Sequence, residues 1–469
     1  MKKDSKGVLV LVIGAARQGL ALARYLARHQ YPVLLNDKRT EQELAAEKKS
    51  LRSLPVQWLL GTHDPAALPQ RPTLVCVSGG VPLDNPMVRY AVENNIPLTN
   101  DTQIFMELVP CKTLAITGSA GKTTTTTLLG LIARTAEGGA YRKVWVGGNI
   151  GDPLINYLDE MEANDLAILE VSSFQSELMT RSADVAAILN ITPNHLDRHG
   201  TMKEYIAAKA RLVQAQKEGS VTLLGRDDTQ AWKLRGEVKG RLYSFGFKPL
   251  PEGMDGMRYE NGKYRWRADG AEQELPIGEV LELRGDHNKL NAMAAASMAL
   301  LAGLTPQNVI DGIRGFKGVA HRMEIIAQHN GVTWINDSIA TAPERTMAAV
   351  QAFEGPLVLM LGGRDKKLPW KDLADLIHQR VSGVVLFGEA AALIEKALQN
   401  GMEEKDTGSL RQIVKTAGLK EAVAAAVKMA EPGQTVLFSP GGTSYDEFKD
   451  FAERGEKLKQ WLWEQFEQN

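Results

Sequence analysis

The stretch Ala115-Ile116-Thr117-Gly118-Ser119-Ala120-Gly121-Lys122-Thr123-Thr124 decides the fold of this chain. A short apolar run, 113–116, precedes the glycine-bracketed loop, and a helix-like run through Leu128 follows it. In a strand–loop–helix unit of this kind, successive backbone N–H groups point inward and cradle phosphate oxygens. Lys122 adds a positive charge for the β- and γ-phosphates, and the Thr123 hydroxyl is placed to ligate Mg²⁺. The stretch therefore predicts an ATP site built from Gly118, Ser119, Ala120, Gly121, Lys122, Thr123 and Thr124.

The spacing of this loop leaves an alternative. Only Ser119 and Ala120 separate Gly118 from Gly121, whereas the common phosphate-binding loop has four residues there. A tight strand-to-helix turn with an incidental lysine would give the same pattern. The preceding strand and the threonine-rich helix start favour nucleotide binding.

Composition limits the class of protein. A chain of 469 residues is expected to contain two to four domains. Its 55 basic and 56 acidic side chains provide no electrostatic footprint for nucleic acid or an anionic membrane. Two cysteines fit a reducing compartment, and no apolar run approaches the length of a membrane span. We expect a soluble, cytoplasmic, multidomain enzyme that neither enters a membrane nor binds nucleic acid.

The first block of alternating strand and helix patterns runs to about residue 111. Val8–Ile13 is a continuous apolar run, typical of a buried parallel strand, and the glycine-containing turn 14–19 follows it. Ala16 stands where a dinucleotide-binding turn carries its middle glycine, which argues against NAD. The motif leaves a nucleotide-diphosphate ligand and a purely structural turn as alternatives. Asp37, at the end of the second predicted strand, and the loop 78–82 are placed to line one crevice.

The second block begins with the phosphate-loop strand and runs to about residue 319. Predicted strands 166–169 and 185–189 end at Glu170 and Asn190, at the sheet edge where open α/β sheets bind ligands. The Asn261-Gly262 pair between alternating residues predicts an antiparallel hairpin over 257–267, which we interpret as an appendage and to which we assign no chemistry.

The third block restarts the pattern, with predicted strands at 332–335, 357–361, 384–387 and 436–438. The fold class predicted is therefore α/β, with a Rossmann-like N-terminal domain, a central P-loop ATPase-type parallel sheet and a Rossmann-like C-terminal domain. The predicted domains are 1–111, 112–319 and 320–469.

Each polar candidate outside the loop has a competing structural interpretation. Glu170 is the natural second protein ligand for Mg²⁺, or else a helix cap before Ser172. His195, in a loop after a strand, suits metal ligation or substrate orientation, although a lone histidine is more often structural. Lys209 lies in an alanine-rich helix, and composition alone favours a solvated lysine there.

Further candidates lie near the start of a second alanine-rich helix and around a strand of the third block. Asn288 and Asn291 are spaced i, i+3, so their amides share one face and suit an adenine edge or a phosphate. Capping by Asp286 is the alternative, and the two roles are compatible. Arg322 for the γ-phosphate and Asp337 for the ribose hydroxyls would complete an ATP site.

Nine strings occur in order along the chain, and their combination is more specific than any one of them. They are ITGSAGKTTTT, GGNIG, LEVSSFQ, LNITPNHLDRH, AAKARL, GDHNKLNAMAA, HRME, NDSIAT and SPGGTSYDEFKDFAERG. Together they resemble the Mur ligase family, the ATP-dependent amino-acid ligases of peptidoglycan precursor synthesis, and within it the members that add D-glutamate. The resemblance covers all three blocks, including the first, which the related folylpolyglutamate synthetases lack.

The resemblance implies an activity and its partners. The L-alanyl carboxylate of UDP-N-acetylmuramoyl-L-alanine attacks the γ-phosphate of ATP to form an acyl phosphate. The amine of D-glutamate then attacks the carbonyl, and phosphate leaves from a tetrahedral intermediate. Two Mg²⁺ sites, a cytoplasmic location and a monomer are expected.

The resemblance also assigns residues. Lys122, Glu170, His195 and Lys209 match catalytic positions; Thr123, Glu170, His195 and a carbamylated Lys209 match metal ligands. Asn288, Asn291, Arg322 and Asp337 match ATP contacts, and Asn149 matches a substrate contact. Ala16, Arg17, Asp37 and Gly80 match the uridine-diphosphate site. Thr341, Lys366, Ser444 and Phe451 match the D-glutamate pocket.

One departure bears on specificity. Ile339 stands where some members carry a lysine, which puts the amino-acid substrate in question more than ATP binding. Three hypotheses follow: a D-glutamate-adding ligase, a ligase of the same family that adds L-alanine, L-lysine or diaminopimelate, and a nucleotide-binding regulatory or scaffolding protein that has lost ligation.

Overall fold

The computed structural model describes residues 8–283, 285–366, 368–402 and 409–468. Residues 1–7, 284, 367, 403–408 and 469, which the predicted domains include, lie outside this description. The chain divides into two compact units, Met1–Phe316 and Lys317–Asn469. Within the described residues the main strands form three sheets, two in the first unit and one in the second.

The N-terminal sheet is parallel, with strand order β3-β2-β1-β4-β5. Its elements are β1 (Val10–Ile13), α1 (Arg17–Arg28), β2 (Val33–Asp37), α2 (Ala45–Ser50), β3 (Val56–Leu60), β4 (Leu74–Val77), α3 (Pro86–Glu93), β5 (Leu98–Thr99) and α4 (Asp101–Leu108). Helix α1 approaches the end of β1 so closely that a Cβ at Gly19 would lie 1.8 Å from the Gly14 carbonyl oxygen. Glycine at 19 is therefore required by packing.

The central sheet has the order β14-β13-β12-β11-β10-β9-β6-β8-β7. Its strands are β6 (Lys112–Thr117), β7 (Val144–Gly148), β8 (Leu166–Glu170), β9 (Val185–Ile188), β10 (Val221–Gly225), β11 (Arg241–Gly246), β12 (Asp255–Glu260), β13 (Lys263–Ala268) and β14 (Ala271–Leu275). The accompanying helices are α5 (Lys122–Arg134), α6 (Ser173–Ser176), α7 (Leu196–His199), α8 (Met202–Gln214), α9 (Thr229–Lys233), α10 (Asp286–Ala302) and α11 (Pro306–Ile313). The order brings the ends of β6, β8 and β9 side by side, which positions the candidate site.

The predicted hairpin is confirmed. Strands β12 and β13 pair antiparallel around Asn261-Gly262, whose φ angles of 53° and 81° are the positive values that a tight hairpin turn needs. The hairpin is not a separate appendage, because β12 pairs in parallel with β11 and so extends the central sheet.

The second unit contains a mixed sheet with the order β15-β16-β20-β17-β18-β19, antiparallel only between β15 and β16. Its elements are β15 (Glu324–His329), β16 (Val332–Asn336), α12 (Pro343–Gln351), β17 (Leu357–Gly362), α13 (Lys371–Arg380), β18 (Val381–Phe387), α14 (Ala391–Met402), β19 (Gln412–Lys415), α15 (Leu419–Met429), β20 (Thr435–Gly441) and α16 (Phe451–Gln468). Apolar clusters cover both sheet faces, as a parallel sheet requires.

The predicted α/β class with three sheets is confirmed, while the exact domain boundaries remain predictions. Among the described helices, none is long and apolar enough to cross a membrane.

Candidate active site

The glycine-bracketed loop joins β6 to α5, as the sequence predicts. Gly121, at the helix N-cap, has a φ of 83°, and a Cβ there would lie 2.3 Å from Asn291 Oδ1. Both the left-handed backbone and the close approach therefore require glycine. Asn291 also accepts a hydrogen bond from Thr125 Oγ1 at 3.3 Å and donates one to Asn288 Oδ1 at 3.3 Å. The two predicted asparagines thus lie together against the loop.

Asn190, just beyond the end of β9, holds the other side of the loop. Its Oδ1 accepts hydrogen bonds from the Ser119 and Ala120 N–H groups at 3.1 and 2.9 Å, and its Nδ2 donates to the Ala120 carbonyl at 3.1 Å. The sequence placed Asn190 at a strand end but did not reveal this role. The side chain fixes the loop backbone, so the short two-residue spacing is held in one shape.

Two lysines converge on one carbonyl of the loop. Lys122 Nζ donates to the Gly118 carbonyl at 2.8 Å, and Lys209 Nζ, from α8, donates to the same oxygen at 3.0 Å. Lys209 is only 1% exposed, so the composition-based interpretation as a solvated lysine is wrong. Burial and the nearby charge of Lys122 lower the pKa of Lys209 well below its usual value, and Glu170 offsets part of that shift. A lowered pKa favours the neutral, nucleophilic amine.

Glu170 ends β8 and is 1% exposed. Its Oε1 accepts a hydrogen bond from Asn149 Nδ2 at 2.7 Å, while its buried Oε2 has no hydrogen-bond partner within the described part of the chain. The capping alternative is wrong, because Ser172 and Gln175 form the capping box of α6. A buried carboxylate oxygen without a partner is costly, and a cation placed there would compensate it.

His195 is exposed and lies at the N-cap of α7 with a φ of 54°. Its ring contacts the edge of Phe174 at a centroid distance of 5.3 Å. Within the described residues, no group of three or more His, Cys, Asp or Glu side chains is arranged to hold a metal ion. Of the four predicted ligands, only Glu170 and His195 are of these residue types, so the predicted set stays a prediction.

The residues predicted for uridine diphosphate gather at the carboxyl edge of the N-terminal sheet. The Ala15 N–H donates to Asp37 Oδ2 at 2.8 Å, and the Arg39 guanidinium forms two hydrogen bonds with the same carboxylate. Burial raises the pKa of Asp37, but the hydrogen bonds from Arg39 and the Ala15 N–H outweigh it and lower the pKa to about 2. At Ala16 no side chain caps α1, so the exposed first turn of this helix keeps donors for an anion.

Two contacts connect this edge to the central sheet. Arg17 Nη2 donates to the Asn149 carbonyl at 2.8 Å, and Arg198 Nη1 donates to the Gly80 carbonyl at 3.2 Å. Arg17, Asn149 and Glu170 therefore form a continuous chain of contacts. Arg198 was missed by the sequence analysis.

In the second unit, Arg322 lies in a strained turn, because its neighbours His321 and Met323 have φ angles of 62° and 48°. Such backbone strain is concentrated at functional sites. The Met323 N–H and Ser439 Oγ donate to the two oxygens of Asp337 at 3.2 and 2.9 Å. Burial raises the pKa of Asp337 to about 6, against the opposing effect of these bonds.

Of the residues predicted for D-glutamate, Thr341, Lys366 and Ser444 lie on loops of the same unit, and Phe451 begins α16. Lys366 Nζ donates to Thr341 Oγ1 at 3.2 Å, and Ser338 Oγ donates to the Phe451 carbonyl at 2.7 Å. Ser444 is buried. Ile339 is half-buried, and its N–H donates to the His321 carbonyl at 3.1 Å.

Arg454 was also missed, although it lies in the last quoted string. It is fully buried and donates to the Gly442 carbonyl at 3.0 Å and to the Ser338 carbonyl at 2.8 Å. It thereby joins the loops that carry the predicted D-glutamate residues.

Comparisons with known proteins extend over the same regions. Three family descriptions match: a Mur ligase MurD-like N-terminal domain over residues 8–100, a Mur ligase middle domain over 116–299 and a Mur ligase glutamate ligase domain over 321–442. A UDP-N-acetylmuramoylalanine–D-glutamate ligase from Pelotomaculum thermopropionicum is 37% identical over 98% of each chain. A protein of the same name from Symbiobacterium thermophilum is 34% identical over 96% of each chain.

Solved structures share the fold at lower identity. The UDP-N-acetylmuramate-alanine ligase MurC of Thermotoga maritima aligns with a TM-score of 0.53 at 18% identity, over 98% of this chain and 99% of that one. The MurF ligase of the same organism, in complex with ADP, aligns with a TM-score of 0.54 at 18% identity, over 93% of this chain and 95% of that one. Near-full-length identity above one third, together with the three domain matches, shows that this chain belongs to the Mur ligase family.

Proposed function

We propose that this Mur ligase joins D-glutamate to UDP-N-acetylmuramoyl-L-alanine with cleavage of ATP to ADP and phosphate. The observation that carries the chemistry is the burial of Lys209 and Glu170 beside the phosphate loop. The amino-acid substrate is supported by relatives named for D-glutamate at more than one third identity over nearly the whole chain.

ATP binding is assigned to the loop Gly118–Thr124. Backbone N–H groups at the start of α5 face the phosphates, and Lys122 neutralises charge that develops during phosphoryl transfer. Asn288 and Asn291 contact the nucleotide from α10. Arg322 and Asp337 are the contributions proposed from the second unit.

Mg²⁺ fits the donor set of the first unit. Glu170 presents a buried carboxylate oxygen that has no hydrogen-bond partner within the described residues, and Thr123 and His195 are the further ligands proposed. Mg²⁺ typically takes one or two protein ligands together with waters and substrate phosphates, so the absence of a three-ligand cluster among the described residues does not conflict with this assignment. When bound, Mg²⁺ supplies positive charge to the transferring phosphate.

Lys209 is proposed to carry a carbamate and so to contribute to a second Mg²⁺ site. The neutral amine, favoured by the lowered pKa, attacks the carbon of CO₂, and one N–H proton passes to solvent. The product is an anion beside Lys122, so the carbamate and the Lys122 ammonium attract each other.

The reaction requires activation, because a carboxylate is a poor electrophile. The substrate carboxylate attacks the γ-phosphorus to give an acyl phosphate, and the amine of D-glutamate attacks its carbonyl to give a tetrahedral intermediate that expels phosphate. Lys122 stabilises the transferring phosphoryl group, and the placement of both reactants supplies the rest of the acceleration.

Recognition of the remaining substrates is assigned to the flanking sheets. Ala16, Arg17, Asp37 and Gly80 are proposed for the uridine diphosphate, with Asn149 nearer the reacting end. Thr341, Lys366, Ser444 and Phe451 are proposed for D-glutamate. The boundaries 1–111, 112–319 and 320–469, the cytoplasmic location and the monomeric state belong to the same proposal.

The test measures phosphate release from ATP in the presence of UDP-N-acetylmuramoyl-L-alanine and one amino acid at a time. We expect release with D-glutamate and none with L-glutamate, L-lysine or diaminopimelate. Release only with a different amino acid would keep the ligase but overturn the substrate, and would point to Ile339 as the cause. ATP binding without release for any amino acid would overturn ligation itself.

A further inference from the structure

Arg198 connects two parts of the first unit that the proposed function uses separately. Its Nη1 and Nη2 donate to the carbonyls of Gly80 and Val81, each at 3.2 Å. These carbonyls belong to the loop after β4, where the uridine-diphosphate substrate is proposed to bind. The planar guanidinium therefore binds two successive carbonyl groups of this loop at once, because it carries several N–H donors in a fixed arrangement.

The same guanidinium lies over an aromatic ring of α6, the helix that follows β8. Its Cζ lies 4.3 Å from the ring centroid of Phe174, within the range of a cation–π contact. The edge of Phe174 also meets His195 at 5.3 Å. Phe174 thus contacts both the arginine that holds the loop and the histidine proposed for metal and substrate.

Phe174 also stacks against His199. The two rings stack at 5.0 Å with an interplanar angle of 6°. His199 is itself oriented by two polar contacts: its Nε2 shares a hydrogen bond with the Ser173 hydroxyl at 2.9 Å, and its Nδ1 lies 2.9 Å from Glu177 Oε1. A buried imidazole held at both nitrogens has one ring orientation, so the platform beneath Phe174 is rigid.

The contacts continue to the phosphate loop. His199 meets Tyr205 at a centroid distance of 5.1 Å, and Tyr205 Oη lies 2.9 Å from Ser119 Oγ. Lys209 Nζ lies 4.8 Å from the Tyr205 ring centroid. We call Phe174, His199 and Tyr205 the aromatic relay. With Arg198 it forms an unbroken series of contacts from the Gly80–Val81 loop to the ATP loop.

We infer that Arg198 is a positioning residue for the UDP-linked substrate. Arg198 fixes the position of the Gly80–Val81 loop relative to His195 and the phosphate loop through the contacts of the aromatic relay. The inference rests on the proposed function, because it takes the UDP-linked substrate as the ligand of that loop. Arg198 holds the loop backbone, so its loss reduces substrate binding while the ATP loop, held by Asn190, keeps its shape.

The test compares Arg198→Met, which keeps length and apolar contact with Phe174 but removes both hydrogen bonds, with the wild-type chain. We expect the Kd for UDP-N-acetylmuramoyl-L-alanine, measured by calorimetry without ATP, to rise about tenfold, as the loss of a charged hydrogen-bond donor implies. The KM for this substrate should rise in parallel, whereas the KM for ATP should stay within about twofold. Arg198→Lys, which keeps the charge over the ring and one donor, should give an intermediate Kd.

Arg181→Met is the matched control, since Arg181 also donates to a backbone carbonyl, that of Glu107 at 3.2 Å, but outside the relay. Its substrate Kd should equal that of the wild type. If the relay couples Phe174 to Arg198, then Phe174→Leu already removes the contribution of Arg198 to substrate binding. Adding Arg198→Met to Phe174→Leu should therefore leave the substrate Kd unchanged. Independent, additive losses would overturn the relay, and an unchanged Kd in Arg198→Met would overturn the role of Arg198. If the wild-type chain itself does not bind the UDP-linked substrate, the proposed function fails instead.

Discussion

Asp37 and Glu170 each end a buried parallel strand beside a strand-to-helix loop, yet their surroundings differ. Asp37 receives hydrogen bonds from the Ala15 N–H and from Arg39, so both of its oxygens have donors. Glu170 receives one hydrogen bond, from Asn149, and its other buried oxygen has no partner within the described residues. The first carboxylate thus has donors at both oxygens in the folded chain, whereas the second has a donor at only one among the described residues.

The difference has a physical reason in the charges nearby. An ionised carboxylate is stable in a buried position only when donors or cations compensate it. At Asp37 the protein provides that compensation permanently, which suits a recognition surface. Near Glu170 lies the Lys209 amine, whose pKa is lowered by burial and by the charge of Lys122, so that its ammonium form is disfavoured. The charge of the Glu170 carboxylate is therefore only partly compensated by the described residues, whereas the charge of Asp37 is compensated by its donors.

The largest effect is expected at Lys209, where the proposed carbamate would add a second anion beside the Glu170 carboxylate. Lys209→Ala should reduce turnover by roughly 10³-fold or more, because it removes a charge that the transition state requires. An added small carboxylate such as acetate should restore part of the rate by occupying the space of the carbamate. The measurement is steady-state phosphate release with and without acetate.

Lys203→Ala provides the control for that experiment, since Lys203 lies on the same helix but is exposed. Its turnover should match the wild type and should not respond to acetate. Full activity of Lys209→Arg would contradict the carbamate, because arginine cannot supply an anion.

A smaller loss is expected at Lys122, whose ammonium contacts the loop backbone. Lys122→Ala should lower turnover by about 10²-fold or more, since one charge that neutralises the transferring phosphate is removed. Arg134→Ala, in the last turn of the same helix, should leave turnover unchanged. Near-normal phosphate release from the Lys122 variant would mean that the loop is a structural turn.

Local patterns predicted most of the fold. The apolar run before Gly14, the Asn261-Gly262 turn and the strand ends at Glu170 and Asp37 are encoded by residues close together in sequence, and the structure places each of these features as expected. The extension of the central sheet by the hairpin was not predictable in this way. It depends on pairing between β11 and β12 across a turn-rich connection, and register between strands is set by tertiary packing.

The site was harder to predict because its key contacts join distant segments. The local sequence around Lys209 predicts an exposed lysine on its helix. Its burial results from packing against the phosphate loop, about ninety residues earlier in the chain. Arg198 carries no local signal, because its two carbonyl partners lie more than one hundred residues away. Only the family strings pointed to Lys209; Arg198 also lies in one of them, LNITPNHLDRH, but was assigned no role.

The smallest effect is expected on the free energy of unfolding, when the hydrogen bonds from Arg39 to Asp37 are removed. Arg39→Ala should lower the free energy of unfolding at pH 7 by about 1 kcal/mol, a value discounted because Arg39 is about one-third exposed. The pKa of Asp37 is about 2 in the folded chain and about 3.9 in an unfolded one. The stabilisation is therefore fully present above about pH 4 and is lost as the pH falls through 2. Urea unfolding at pH 7, 4 and 3 should show the difference between wild type and variant shrinking only below pH 4.

Lys48→Ala is the control, since its ion pair with the largely exposed Glu41 should contribute a few tenths of a kcal/mol at most. A loss in Arg39→Ala that stays constant down to pH 3 would show that packing of the arginine, and not the charge of Asp37, stabilises this edge. The two carboxylates would then differ less than their hydrogen bonds suggest. A loss that follows the titration of Asp37 would instead confirm that the N-terminal site is electrostatically complete without a ligand, leaving Glu170 as the strand-end carboxylate that needs a cation.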